Sequence, residues 1–166
     1  MANIVLIGMP GAGKTTIGKK LSQALGRPVL DADDMVVQQT GRTIKDLFQE
    51  GEDVFRTAET EAIRTLAAKD GIIISCGGGV VKRPENIGYL QENGKIFFLN
   101  RDLAAIAGSV DKVSRPLLNS AEDRLTQLYK ERMPLYLKYC DYAIPVDEDF
   151  DKTTKDIVKL IEKLGI

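Results

Sequence analysis

Residues 8–15 read Gly-Met-Pro-Gly-Ala-Gly-Lys-Thr, the full G-x-x-x-x-G-K-[ST] spacing, set between the apolar run 4–7 and a helical pattern that starts at Lys14. That spacing is built for phosphate. Glycines at 8, 11 and 13 allow backbone turns that side chains obstruct, and let N–H groups come close to phosphate oxygens. The following helix aims its unpaired amides and positive dipole end at the same point. Gly11, Ala12, Gly13, Lys14, Thr15 and Thr16 are therefore candidate nucleotide-binding residues, Lys14 meeting the β and γ phosphates and the Thr15 hydroxyl suited to Mg²⁺. A glycine turn that binds nothing is the bland alternative, and the strand before and helix after weigh against it.

Four further clusters have chemical potential. Asp31 and Asp33 stand at the end of a short apolar stretch, Pro28, Val29 and Leu30. If the extended conformation persists they project to one side, and at the carboxyl end of a parallel strand both face the γ phosphate and Mg²⁺. The competing use of this stretch is a helix N-cap, which falls to Asp34. Arg56 and Glu59, three residues apart, share a helical face away from the apolar stripe Phe55, Ala58, Ala62, Ile63 and Leu66. Alone they read as a surface ion pair. Gly77, Gly78 and Gly79 follow the apolar run 72–74 and Ser75, which suggests a ligand passing close to bare backbone, with a tight turn as the alternative. Arg115, ahead of Pro116, lies in a small, polar, aperiodic stretch from Ala104 to Glu122 that suggests a lid.

The elements that must carry these residues follow in order. The first strand and phosphate loop lead into a helix with Ile17, Leu21, Ala24 and Leu25 on its inner face, ended by Gly26. After the second strand come a helix over residues 35–39, a short helix opened by Thr43 and stopped by Gly51, and the helix of Arg56 and Glu59. Residues 72–75 form a fully buried strand, Pro84 starts a helix that Gly94 closes, and residues 95–99 form a fourth strand. Ser120 with Asp123 opens a long helix carrying Leu125, Leu128, Tyr129 and Arg132, which Pro134 must kink or interrupt. A strand over 142–146 and an amphipathic helix with Ile157, Leu160, Ile161 and Leu164 close the chain.

A chain of 166 residues suits one core and is short for two ordinary domains. Its 43% hydrophobic and 28% charged residues are ordinary for a soluble domain, and a net charge of −1 gives no electrostatic reason to bind nucleic acid or an anionic membrane. No apolar run approaches the roughly 20 residues of a membrane span, and Met1, Ala2 and Asn3 lack the charged start of a secretory signal, so a cytoplasmic location is expected. Cys76 and Cys140 are too few for a disulfide framework or a zinc site. There is no histidine, which excludes His-based acid–base chemistry and leaves proton handling to carboxylates, lysines or water.

Taken together, the phosphate loop, Asp31-Ala32-Asp33, Thr40-Gly41-Arg42-Thr43-Ile44, Phe55-Arg56 with Glu59, the triple glycine, Arg115-Pro116-Leu117-Leu118, and Arg132 followed by Pro134-Leu135-Tyr136 resemble the shikimate kinases over essentially the whole chain. The resemblance implies a three-layer α/β phosphate-loop kinase fold: a five-stranded parallel sheet of order 2-3-1-4-5, flanked by helices, in a single domain over residues 1–166. It places a substrate-binding segment at about 31–60 and a lid at about 107–122. It implies phosphorylation of the 3-hydroxyl of shikimate by ATP with Mg²⁺, on the route to aromatic amino acids, by a monomer. Residue by residue, Asp33 meets the reacting hydroxyl, Arg56 and Arg132 hold the acceptor carboxylate, and Glu59, Gly77, Gly78 and Gly79 complete the acceptor site. Lys14 and Arg115 stabilise the transferring group, and Thr15 binds Mg²⁺ with Asp31, joined by Ser75, acting through water. Two stretches depart from the family pattern. Ala107 and Gly108 stand where many members carry an arginine on adenine, and residues 147–151 are acidic where a basic or proline-containing segment is common.

Overall fold

The computed structural model describes residues 1–108 and 118–166, with side chains in the second stretch described from residue 123 onward. Five strands, β1 (Asn3–Ile7), β2 (Val29–Asp31), β3 (Ile73–Ser75), β4 (Gly94–Asn100) and β5 (Tyr142–Pro145), form one parallel sheet in the order 2-3-1-4-5. β1 is central, and both of its faces are buried. Its alternation divides the core. Val5 and Ile7 join Ile74, Ile96 and Phe98 on one face, whereas Ile4 and Leu6 join Ile73, Phe97 and Leu99 on the other.

The first helix, α1 (Lys14–Leu25), and the last, α8 (Phe150–Leu164), cover the Ile4 face through Ile17, Leu21, Ile157 and Ile161. The opposite face is covered by α4 (Glu52–Ala67), α5 (Pro84–Glu92) and α7 (Leu118–Tyr139), through Ile63, Leu66, Ile87, Leu90 and Tyr136. A third, smaller cluster of Val36, Leu47, Phe55 and Ala62 joins α4 to α2 (Ala32–Thr40) and α3 (Ile44–Glu50). α6 (Leu103–Gly108) follows β4. The chain leaves β1 toward β2 on one side and returns past it from β3 to β4. The carboxyl end of β1 therefore opens the crevice where such sheets bind ligands. Among the described residues no helix is long and apolar enough to cross a membrane.

Several local expectations are corrected. α2 begins at Ala32, so the extended conformation stops at Asp31; Asp31, not Asp34, is the N-cap, accepting the N–H groups of Asp33 and Asp34 at 2.8 and 3.1 Å. Ala24 is exposed on α1. Gly94 opens β4 and does not close α5, whose C-cap is Asn93; a side chain at 94 would sit 2.7 Å from the Leu90 carbonyl and 3.2 Å from that of Asn3, which is why the position is glycine. Part of the supposed aperiodic stretch is α6, and α7 is already helical at Leu118, ahead of the proposed cap at Ser120. α7 also runs on through Pro134. The missing N–H is outweighed by packing two residues on, where Tyr136 is fully buried and its ring stacks 5.0 Å from that of Phe98. Most of the proposed lid, including Arg115, lies outside the described residues.

Candidate active site

At the carboxyl ends of β1, β2 and β3 the chain encloses a cleft of about 520 Å³, lined by Pro10, Gly11, Gly13, Lys14, Thr15, Thr16, Asp31, Asp33, Ser75, Cys76, Gly77, Gly78, Arg101 and Phe150. Most of the residues expected to bind phosphate and metal lie on this wall. Gly13, the N-cap of α1, has φ of 100°, a conformation side chains rarely adopt. Ala12 departs from the set. Its side chain is buried beneath the loop and its N–H donates to the Met9 carbonyl at 3.0 Å.

The Lys14 ammonium folds onto the loop, donating to the carbonyls of Gly8 at 2.5 Å and Met9 at 3.2 Å. Burial lowers its pKa to about 8; the Arg132 charge acts in the same direction and the Asp33 carboxylate opposes it. Across the cleft, burial raises the pKa of Asp33, reinforced by the neighbouring Asp31 charge and opposed by Lys14 and Arg56. Asp31 and Asp33 share the cleft as expected, yet the cap turn brings them there and not strand alternation.

Arg56 and Glu59 are not a surface pair. They are 6% and 1% exposed, and Arg56 Nη1 donates to Glu59 Oε1 at 2.8 Å. The guanidinium also lies over the Phe55 ring, 5.0 Å from its centre, and 5.8 Å from that of Phe48. Burial raises the Glu59 pKa, with the Arg56 hydrogen bond opposing. Asp33 Oδ1, Arg56 Nε and Glu59 Oε2 are three of the four buried side-chain polar atoms that lack a hydrogen-bond partner among the described residues. Such atoms are rare, and three in one place fit a polar ligand.

The triple glycine is where these groups meet. A Cβ at Gly77 would lie 3.4 Å from both Asp33 Oδ1 and Glu59 Oε2. At Gly78 it would lie 2.9 Å from Pro10 Cδ and 3.0 Å from Arg132 Nη1, and at Gly79 only 2.3 Å from Arg56 Nη2. None of the three has positive φ. Their smallness serves close approach, and much of what approaches is the protein's own charged side chains. Arg56 and Arg132 thus converge on one backbone stretch beside the phosphate loop, and Tyr136 fixes it by donating to the Gly78 carbonyl at 2.6 Å. Burial pushes the Tyr136 pKa up to about 12, so it remains a donor through the neutral range.

The oxygen donors Thr15, Asp31 and Ser75 on the cleft wall suit a hard cation that keeps part of its water shell. Among the described residues no group of three acidic, histidine or cysteine side chains is placed to hold a metal ion. Sequence reasoning missed Arg101 and Phe150. Arg101 follows the carboxyl end of β4, where the rule that located Asp31 also points, and Phe150 is the one aromatic residue in the acidic stretch 147–151.

A parallel 2-3-1-4-5 sheet with a phosphate loop after its central strand and charged acceptor groups beside it defines a phosphate-loop kinase. The family model for shikimate kinase matches residues 10–164. The shikimate kinase of Clostridium botulinum (strain Alaska E43 / Type E3) is 39% identical over 158 residues, covering 95% of this chain and 96% of the relative. That of Clostridium beijerinckii is 42% identical, covering 95% and 94%. Among solved structures, shikimate kinase from Acinetobacter baumannii in complex with shikimate superposes with a TM-score of 0.89 at 33% identity, covering 98% of this chain and 94% of that one. The chain belongs to the shikimate kinase family.

Proposed function

We propose that this cleft transfers the γ phosphoryl group of ATP to the 3-hydroxyl of shikimate, giving 3-phosphoshikimate on the route to chorismate and the aromatic amino acids. The observation that carries the reading is the meeting of Asp33, Arg56 and Arg132 around the triple glycine, beside Lys14 and the phosphate loop. A carboxylated polyol fits these groups: guanidinium forks match a carboxylate, and the unpartnered Asp33 oxygen matches a hydroxyl.

In this reading Arg56 and Arg132 hold the carboxylate, Glu59 and the Phe55 ring fix Arg56, and Gly77, Gly78 and Gly79 bring backbone against the ring. Asp33 orients the hydroxyl and takes its proton late, as a loose transition state requires little early assistance to the nucleophile. The backbone of Gly11, Gly13 and Thr15 with Thr16 grips the phosphates, and Lys14 leaves the loop carbonyls to follow charge onto the transferring group. Mg²⁺, when bound with the nucleotide, spreads the phosphate charge; Thr15 would hold it, with Asp31 acting through water. Arg115, in the segment at about 107–122, would meet charge on the same group. The chain works as a single cytoplasmic domain and a monomer, with residues 31–60 as the acceptor segment.

A coupled assay of ADP release with shikimate, quinate, gluconate and AMP as acceptors tests the assignment. Shikimate is expected to give the highest kcat/KM by at least tenfold, since a missing or misplaced hydrogen-bonding group leaves buried polar atoms unpaired. Preference for gluconate or AMP would overturn it.

A further inference from the structure

The acidic stretch after β5 and the arginine after β4 meet over the phosphate loop. Arg101 Nη1 donates to the Gly11 carbonyl at 2.8 Å, and its Nε and Nη2 reach Glu148 Oε1 and Oε2 at 3.4 and 3.3 Å. Its Cζ lies 5.4 Å from the centre of the Phe150 ring. That ring packs on the loop in turn, since a Cβ at Gly13 would sit 3.1 Å from its Cζ. All three guanidinium nitrogens are engaged within the protein, and the side chain is only 11% exposed. Arg101 is therefore occupied as a structural cation and is not a free phosphate ligand.

The bond to Gly11 falls on a sensitive peptide. The N–H of the same unit, that of Ala12, donates to the Met9 carbonyl at 3.0 Å, so the Gly11–Ala12 peptide is held at both ends before any phosphate arrives. The other acids of the stretch 147–151 are also accounted for. Asp149 caps α8, Asp147 pairs with Lys152 at 3.4 Å, and Asp151 ties α8 to Lys20 of α1 at 2.6 Å.

We propose that Arg101, Glu148 and Phe150 form a clip that holds the phosphate loop in its binding shape, with Arg101 as a positioning residue for the nucleotide phosphates. This rests on the reading of the cleft as a nucleotide site. Holding the loop in advance lowers the ordering cost of binding. A clip of this kind acts on the phosphates and is indifferent to the base.

Calorimetric titration of the full chain with Mg-ATP and with magnesium tripolyphosphate tests the clip. Arg101→Ala should weaken both by the same factor, about tenfold, the loss of one charge-assisted hydrogen bond. It should also speed hydrogen exchange at the Ala12 amide in the ligand-free protein, with far-UV circular dichroism unchanged. Glu148→Gln, an exposed and mild change, carries the same test should Arg101→Ala fail to fold. It should weaken both ligands by about twofold to threefold. A loss confined to ATP would make Arg101 a base contact and overturn the clip, as would no loss with either ligand. If the wild-type chain bound neither probe, the nucleotide reading itself would fall, and the clip with it.

Discussion

Lys14 is a half-buried ammonium whose present partners are two loop carbonyls, and desolvation has brought its pKa down to about 8. Above that pH a growing share of ligand-free molecules carries a neutral lysine, whereas the bound phosphates favour the charged form. Nucleotide binding at pH 8.5 should therefore take up a fraction of a proton, and the Kd for Mg-ATP should rise by up to about tenfold per pH unit above 8. Titration calorimetry at pH 8.5 in two buffers of different ionisation enthalpy reads the uptake directly. Equal heats in both would sink the assignment. The place of Lys14 on the cleft wall was legible because loop spacing specifies backbone geometry, while its displaced pKa depends on burial that spacing leaves open. Arg56 and Glu59 make the same point. A three-residue interval says that they share a face, and only the packing of α3 and of Gly79 makes that face an interior one.

At the scale of elements, the glycine stretch after β3 joins α4, which supplies Arg56, to α7, which supplies Arg132 and Tyr136. Its position after an apolar strand was readable from sequence. Its neighbours were legible only through the family resemblance and not from local pattern, because they come from elements about twenty residues upstream and fifty downstream. α7 was the least legible element, since propensity gives Pro134 a breaking role that the buried stacking of Tyr136 on Phe98 overrides. Asp31 was misread at its cap because N-cap preference does not choose among three nearby aspartates. The geometry gives a specific expectation for Gly79→Ala. The added methyl would occupy space now held by Arg56 Nη2, whose guanidinium is fixed by Glu59 and Phe55, so it must displace the fork. The KM for shikimate should rise by about tenfold or more, the value of a charge-assisted hydrogen bond, with the Kd for ATP nearly unchanged. Steady-state kinetics with each substrate varied in turn would show it, and an unchanged shikimate KM would remove Arg56 from the acceptor site.

Across the whole molecule, two apolar layers built on the alternation of β1 stabilise a sheet whose carboxyl end gathers groups that oppose folding. The layers were legible because strand and helix periods are written in apolar residues; the cost at the site was not, because it arises from charges that converge only in three dimensions. Asp33 shows the sign. Its pKa is raised in the folded chain, mainly by burial, so the folded state holds a proton that the unfolded state has already released. Stability from this group is fully present below the unfolded carboxylate value near 3.9 and is lost as pH rises through the raised folded value. Asp33→Asn keeps the shape without the charge and should therefore raise the Tm of the ligand-free protein at pH 8. Each kcal/mol recovered should appear as about 2–4 °C for a chain of this size. The gain over wild type should shrink as pH falls through the raised folded value, where the wild-type carboxyl takes up its proton. The same variant should lose most of kcat, so stability and turnover would move in opposite directions. Differential scanning calorimetry from pH 4 to 8, paired with ADP release, measures both, and a Tm that fell or stayed level at pH 8 would show that the cleft stabilises the Asp33 charge and does not tolerate it at a cost.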